Sequence, residues 1–599
     1  MKKRKLLLVL SSLAATGAIA ATTINFSRAD SGITSSIPES NELDAKVDLY
    51  DNKVADTIYA DPSVEVEYDF TKEIEGEDQD TPKHKGTKED PMDIYTAFHN
   101  IGAGDTIILK NGTYKMKERI TLPQSGNAKR MITVLPETKG EVHFDFSEQE
   151  FGVRGIQLNG NYWHWYGIDI YGSGDNGMYI GGSNNKIESC LFHENSDTGL
   201  QLGRSSGSLS LVSEWPSNNL ILNCTSYNNY DKETLGENAD GFAAKLTVGD
   251  GNVFDGCIAY RNSDDGWDMY AKPDSGNIGT ITLLNCVAFE NGWVLNKTKS
   301  YTKDANGEYI DSYMSQNGDG NGFKLGGSAM TGDMVLKNCM AFNNRMGGFA
   351  DNSNPGVLSL YNCTSFNNSV YMSMTSKKTG LIDETGDTGV FKANDGESEN
   401  FAMARTEASY NTFYGCLSYI SNMTDETVAY GNYDEYRGAA SYSIFATGKD
   451  QYTQITTPID ASSYESSKKG SKYNGTINDS TFKAVSLGVE MNGNTEIDSL
   501  YRNEDGSVNM HDMLALNDQA LLTFCSGKSI GCTLNKTKME DYEHVDWKDL
   551  TGVSTSKDYT YALRGLEALT VACNEDYVFQ DVNLITKING LAVSWYSSN

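Results

Sequence analysis

A seven-residue phrase returns along the middle of the chain, and its spacing restricts the fold more than any other feature. It reads SCLFHEN at 189–195, NCTSYNN at 223–229, GCIAYRN at 256–262, NCVAFEN at 285–291, NCMAFNN at 338–344 and NCTSFNN at 362–368, with a weaker GCLSYIS from Gly415. Successive cysteines stand 34, 33, 29, 53, 24 and 53 residues apart. The shorter intervals fit single turns of a solenoid; the longest are turns carrying insertions, or two turns read as one. The last position of the first six copies is asparagine: Asn195, Asn229, Asn262, Asn291, Asn344 and Asn368. An asparagine at a fixed turn position bonds its own backbone and its counterpart one turn on, so a ladder satisfies polar groups that the turn would otherwise strand. Scattered hairpins have no reason to repeat it. The phrase predicts an all-β chain, a parallel β-helix of about ten coils with an interior of Cys, Ile, Leu, Val and Phe.

Around this body the chain divides into four parts. Residues 1–20 read as a secretory signal, with Lys2, Lys3, Arg4 and Lys5, an apolar run, and a small-residue cleavage site at Ala18-Ile19-Ala20. Residues 21–85 form an acidic linker or N-terminal cap, 86–520 the β-helix, and 521–599 a C-terminal region whose fold is not readable. Within the body, Met92–Phe98 is a helix candidate, Ile107–Leu109 a first strand and Asn111-Gly112 its turn. The run from Gly292 to Gly320 is too irregular for a coil and is expected to project as a loop.

The formal charge is −32, and removing the four basic residues of the leader takes it to about −36. Such a chain does not hold nucleic acid or an anionic membrane by electrostatics, and it repels an anionic polymer unless a bound cation locally reverses the field. A secreted, extracellular monomer is expected. Ten cysteines in an exported protein point first to disulfides. The place of Cys190, Cys224, Cys257, Cys286, Cys339 and Cys363 in the repeat points instead to an inward column of free thiols, with Cys525, Cys532 and Cys573 open as bridge formers.

Four aspartates fall between Asn238 and Tyr270: Asp240, Asp264, Asp265 and Asp268. Asp240 and Asp264 are 24 positions apart, about one coil, and so are expected one above the other. Bare carboxylates so close repel, and a hard divalent cation with oxygen ligands keeps them ionised; calcium tolerates an irregular cage better than magnesium. The alternative is a solvated acidic edge. Two lysines lie in near-duplicate settings, Lys245 in DGFAAKL and Lys324 in GDGNGFKLGG. A salt bridge to the acids is the better reading for Lys245. Lys324, among glycines that let a polymer approach, is a candidate general base. Arg345 and Lys337, one coil later, are candidates to bind substrate carboxylates, Arg345 the better of the two. YRNEDGSVNMHD at 501–512 has the outline of a calcium loop, but Tyr501 stands at its first ligand position.

The stretch from GTKEDP to about Ala520 resembles the family-nine polysaccharide lyases, most specifically in NADGFAAKL, YRNSDDGWDMY and GDGNGFKLGG. The resemblance implies a right-handed parallel β-helix and a calcium-dependent pectate lyase acting on polygalacturonate. It places one calcium ion on Asp240, Asp264, Asp265 and Asp268 and the catalytic base on Lys324, with Arg345, Lys245 and Lys337 left as substrate contacts. It implies β-elimination to 4,5-unsaturated oligogalacturonates. A hydrolase needs a carboxylic acid set across the bond from a second carboxylate. Hydrolysis, another acidic polysaccharide, or a non-catalytic glycan-binding β-helix are the alternatives. The long run after Gly292 departs from the family pattern and leaves the polymer open.

Overall fold

The computed structural model describes residues 56–72, 81–295, 312–314, 318–369, 400–405 and 411–420, shorter stretches between 434 and 534, and strands at 6–10, 587–588 and 591–597. Most of the expected signal segment, the middle of the Gly292–Gly320 run, Cys525, Cys573 and most of 521–599 lie outside the described residues. Among the described residues no helix is long and apolar enough to cross a membrane.

Three sheets run the length of the body. Sheet I has twelve strands, from Thr57–Ala60 to Ala439–Ser441. Sheet II has thirteen, from Gly112–Lys115 to Ser471–Lys472, and sheet III has ten, from Ile120–Leu122 to Glu435–Tyr436. All strand pairs are parallel except the last two of sheet II. One coil visits the sheets in turn, as in Lys186–Glu188, Leu191–His193 and Leu200–Leu202, and each strand pairs with its counterpart one coil on. This is the expected parallel β-helix. It begins earlier than residue 86, because Thr57–Ala60 already pairs with Thr106–Leu109. A separate antiparallel sheet joins Leu6–Leu10, Leu591–Ser597 and Lys587–Ile588.

The repeated phrase is the corner between sheets I and III, with a short strand of sheet II inside it. The residue before each cysteine has left-handed backbone: Ser189, Asn223, Asn285, Asn338 and Asn362 at φ 50–56°, and Gly256 and Gly415 at 63°. Asparagine and glycine tolerate that region best, which is why they recur there. The residue before each ladder asparagine is left-handed as well, from Glu194 through Asn367 at φ 50–56°. Two bends therefore frame three strand residues. The cysteine after the first bend turns inward, and its thiol donates to backbone carbonyls, as Cys257 Sγ does to Ile221 O at 3.3 Å. All eight cysteines among the described residues are free and buried, Cys532 included.

After the second bend the asparagines stack. Asn195 Nδ2 donates to Asn229 Oδ1 at 2.9 Å, and the chain continues through Asn262, Asn291, Asn344 and Asn368 at 2.8–3.0 Å. It then passes to Asn400 at 3.2 Å, whose backbone N–H donates to Asp434 Oδ1. A second ladder, Asn185 to Asn219 to Asn252, lies at the corner from sheet III to sheet I. Inside, Phe242, Trp267, Phe323, Phe349 and Phe401 stack on sheet III with ring centroids 4.8–5.2 Å apart. Each buried ring contributes roughly 2–3 kcal/mol by leaving water.

The repeat's own aromatic position faces outward, while other phenylalanines line the interior. His193, Tyr227, Tyr260, Phe289 and Phe342 form a column on the outer face of sheet II at 4.7–5.0 Å. Such a column needs a cover, and the segment between Ile477 and Leu534 supplies it. Tyr501 packs on Phe289, and Phe482 packs on Tyr419. Arg502 donates to Cys224 O, Gly256 O and Thr225 Oγ1 at 2.7–2.8 Å. The described residues of the 501–512 stretch form a clasp: Asn509 Nδ2 donates to Asn503 Oδ1, and Asn503 Nδ2 to Ser507 Oγ. At the other end, the helix Ile94–His99, N-capped by Asp93, plugs the solenoid, with Phe98 stacked on Trp165 at 5.5 Å.

Candidate active site

Sheet III is narrow, and at its middle the inward stack of Phe242, Trp267 and Phe323 fixes the register of everything around it. Phe242 pairs with Trp267 and Trp267 with Phe323. Counting two residues back from each ring puts Asp240, Asp265 and Asn321 in one column. Asp265 N donates to Asp240 Oδ1 at 3.2 Å, and Asn321 donates to Asp265 Oδ1 from its backbone at 2.7 Å and its amide at 2.9 Å. Asp240 therefore stands over Asp265 and not over Asp264, which lies opposite Ala239. The one-residue correction follows from the ring pairing, which overrides a period counted from aspartate to aspartate.

Carboxylate oxygens of Asp240, Asp264 and Asp265 come within 4.8 Å of one another, and all three residues are buried. Asp268 is buried nearby but outside this tight set; its Oδ1 accepts from Tyr270 N and its Oδ2 lies 3.4 Å from Lys245. Burial pushes the Asp240 and Asp265 carboxyls far above the usual carboxylate range and outweighs the opposing lysines. Burial raises Asp264 also, less strongly. Asp265 Oδ2 is buried and accepts no hydrogen bond, although Lys324 Nζ is 3.0 Å away. An all-oxygen set of three close, buried carboxyls that resist ionising fits a hard cation of irregular coordination, as calcium is.

The two lysine phrases are out of step. Lys324 directly follows its ring and pairs with Asp268, so it rises from the strand itself on the outer face of sheet III. Its Nζ lies 3.0 Å from Asp265 Oδ2 and 3.2 Å from Asp319 Oδ2. Burial pulls its pKa down, but Asp265, Asp268, Asp264 and Asp319 push harder and hold it well above the ordinary lysine range. Lys245 comes two positions later in its coil and bends back to Asp240 at 2.6 Å, making a buried ion pair. Burial works against its charge as well, and Asp240 and Asp268 win.

Arg345 reaches the edge of this cluster, where its Nη1 donates to Gly318 O at 2.9 Å. Lys337 does not reach it. It ends a strand of sheet I, and its amine stands over the Tyr361 ring, 5.7 Å from the centroid. Nearness in sequence misplaced it, because one coil passes through three sheets. Three members of the site were not singled out from the sequence: Asn321; Asp319, whose N–H donates to Asp264 Oδ1 at 2.6 Å; and Thr198, whose hydroxyl donates to Asp240 Oδ2 at 3.1 Å. Asp319 lies at the end of the long run, which also holds the antiparallel strand pair Trp293–Leu295 and Ser312–Met314. The identical five-residue step from Asp240 to Lys245 and from Asp319 to Lys324 was its available signal.

A family model described as Pel9A-like, right handed beta helix region matches residues 75–400. Pectate lyase L of Paenibacillus polymyxa (strain SC2) is 47% identical over 284 residues, which is 46% of this chain and 58% of that protein. Pectate lyase L of Thermoclostridium stercorarium is 41% identical over 309 residues, 50% of this chain and 23% of that protein. The chain thus spans little more than half of one relative and about a quarter of the other. Among solved structures, the crystal structure of pectate lyase Pel9A superposes with a TM-score of 0.51 at 24% identity, over 78% of this chain and 90% of that one. That likeness concerns the fold. With the family model covering more than half of its length, the chain belongs to the Pel9A-like right-handed β-helix family.

Proposed function

We propose that the protein is a secreted, calcium-dependent pectate lyase that cleaves α-1,4-linked galacturonan by β-elimination. The observation that carries the reading is Lys324, an amine on the outer face of sheet III set 3.0 Å from Asp265 Oδ2, beside the close carboxylate set. The names of the relatives, pectate lyases matched across 46% and 50% of this chain, supply the substrate class.

In this reading Asp240, Asp264 and Asp265 hold the ion, with Asp268 at its margin. When bound there, calcium supplies the positive charge that draws a uronate carboxylate to an otherwise acidic surface, stabilises charge developing on it, and offsets the aspartates' hold on the Lys324 proton. Lys324 Nζ takes the C5 proton of the galacturonate beside the scissile bond. The electron pair of that C–H bond becomes the C4–C5 double bond, and O4 leaves with the departing chain and gains a proton. Arg345, at the rim, holds the carboxylate of a neighbouring sugar. Lys245 neutralises Asp240 and Asp268 and does not touch substrate.

The test is polygalacturonate with added calcium, followed at the absorbance of the unsaturated uronide. A lyase produces that signal and loses it to a chelator. New reducing ends without the chromophore mean hydrolysis, and neither product with retained polymer binding means a glycan-binding protein.

A further inference from the structure

Four coils before Lys324 on the same outer face, a second cation is built into sheet III. The register runs from Lys324 to Asp268, Ala243, Gln201 and Tyr179, one strand at each step. At about 4.8 Å per strand, Tyr179 lies ~19 Å from Lys324 along the solenoid axis. Its ring is covered by Arg154, whose guanidinium carbon stands 3.6 Å from the ring centroid. Arg154 enters from the corner loop that precedes its strand. Its Nη1 donates to Gln157 Oε1 at 2.7 Å, and its Nε faces Asp175 Oδ2 at 4.0 Å, the outer limit of an ion pair. The side chain remains 32% exposed.

That arrangement is more than a surface salt bridge. The ring and the glutamine fix a flat guanidinium, and a fixed fork loses little entropy when it meets a planar carboxylate. The acid beside it is a weak competitor, because it meets the guanidinium only at the outer limit of an ion pair and by a single oxygen. Exposed apolar side chains flank the face at both edges. Phe151, in the same corner loop, is 48% exposed; Leu211, in the loop leaving sheet III on the other side, is 60% exposed. Apolar side chains in the loops that border a face holding a fixed cation suit a sugar ring that carries a carboxylate. A 1,4-linked pyranose advances by a length comparable to one coil, so a chain lying along the solenoid places successive sugars over successive strands.

We propose that Arg154, held by Tyr179 and Gln157, is a carboxylate-binding subsite for a uronate about four sugars from the scissile bond. The inference rests on the galacturonan reading above and deepens it: the enzyme gains from substrates long enough to span both cations. It makes Arg154 a specificity residue for chain length and for unesterified acid at that position, with no part in proton transfer.

The experiment compares wild type, Arg154→Ala and Arg154→Lys on defined oligogalacturonides from three to eight units, with calcium. The ratio of kcat/KM on the octamer to that on the trimer should fall about tenfold in Arg154→Ala, the loss one charge-assisted contact accounts for, with the change in KM rather than kcat. Arg154→Lys should recover part of it, since lysine keeps the charge but not the fork. An unchanged length ratio in both variants, or equal loss on every length, overturns the subsite. Affinity electrophoresis in polygalacturonate gels gives a readout independent of turnover. There Arg154→Ala should migrate faster than wild type, and equal retardation of the folded proteins overturns the subsite even if no unsaturated product is ever formed. Absence of that product in wild type defeats the lyase reading alone.

Discussion

Lys324 Nζ lies 3.2 Å from Asp319 Oδ2, a carboxylate that arrives at the end of the long run after Gly292 rather than on a coil strand. Asp319 is half exposed, while Asp265, the other partner of the amine, is fully buried. The exposed acid is therefore the partner that can be altered without disturbing the stack of coils.

If Lys324 is the base, it must be neutral to work, and its raised pKa puts that state on the alkaline side. The wild-type rate should climb with pH. Asp319→Asn removes one of the charges that hold the proton, so the rising limb should move to lower pH. A limb that stays in place or moves upward shows that Asp319 has no hold on the reacting amine.

Lys324→Ala should lose about 10²- to 10⁴-fold in kcat, the ordinary contribution of a general base. Lys324→Arg should be nearly as impaired, because a guanidinium does not give up its proton at usable pH. Lys245→Ala should lose less rate and more stability, since it leaves Asp240 and Asp268 buried without their counter-charge. Kinetics on polygalacturonate paired with thermal melts separate these outcomes.

Calcium binding should fail in Asp265→Asn and Asp264→Asn, which remove members of the close carboxylate set. Asp268→Asn, outside that set, should weaken it by about 10- to 100-fold. Circular dichroism of all three should match wild type, because stacking between coils holds the fold. Equal affinities by calorimetry across the series would remove the metal from these residues.

Asn291 uses its amide to donate to Asn344 Oδ1 and Ala259 O, and accepts from Asn262. Asn291→Ala should cost on the order of 3 kcal/mol, since it strands buried groups on both neighbouring coils. The urea midpoint should fall without a change in slope if the unfolded state is unaltered.

On sheet II, Asp169 Oδ2 is hydrogen-bonded to His143 Nδ1 at 2.8 Å, and its Oδ1 stands 2.9 Å from His193 Nε2. Burial opposes its charge, yet the two imidazoles draw its pKa down to about 2, and Asp169 in turn raises His143. A lowered carboxylate stabilises above its unfolded pKa, near 3.8, and the benefit fades as pH falls toward 2. A raised histidine stabilises below about 6.5 and loses the benefit as pH climbs through its folded value. The cluster should therefore contribute most near pH ~5, and Asp169→Asn should lower Tm more there than at pH ~9. An equal loss of Tm at both values removes the ionic part of the interaction.

The solenoid was legible because its two commonest devices use one residue type each at a fixed step. Cysteine turns inward and asparagine stacks, so both columns can be traced by counting. The ladder's next member, Asn400, could not be counted: it follows a long insertion and has no cysteine five positions before it. The cover over the outward aromatic column was not legible, because it comes from residues far along the chain, Tyr501 on Phe289 and Phe482 on Tyr419. At the site, residue types named the chemistry while register decided the neighbours. Ring pairing placed Asp240 over Asp265 and left Lys337 on another sheet.

The corner that follows each ladder asparagine also has a bearing on how such a protein diversifies. Both long insertions, after Asn291 and after Asn368, leave from that corner and return to the same strand position on sheet III, at Phe323 and Phe401. The asparagine clamps the chain before it departs, so the length of what is spliced in does not propagate to the next coil. Each corner is a socket. Hairpins of different reach can be exchanged there, by selection or by design, to hand a new side chain to the reacting centre as Asp319 is handed here, while the scaffold beneath keeps its pitch.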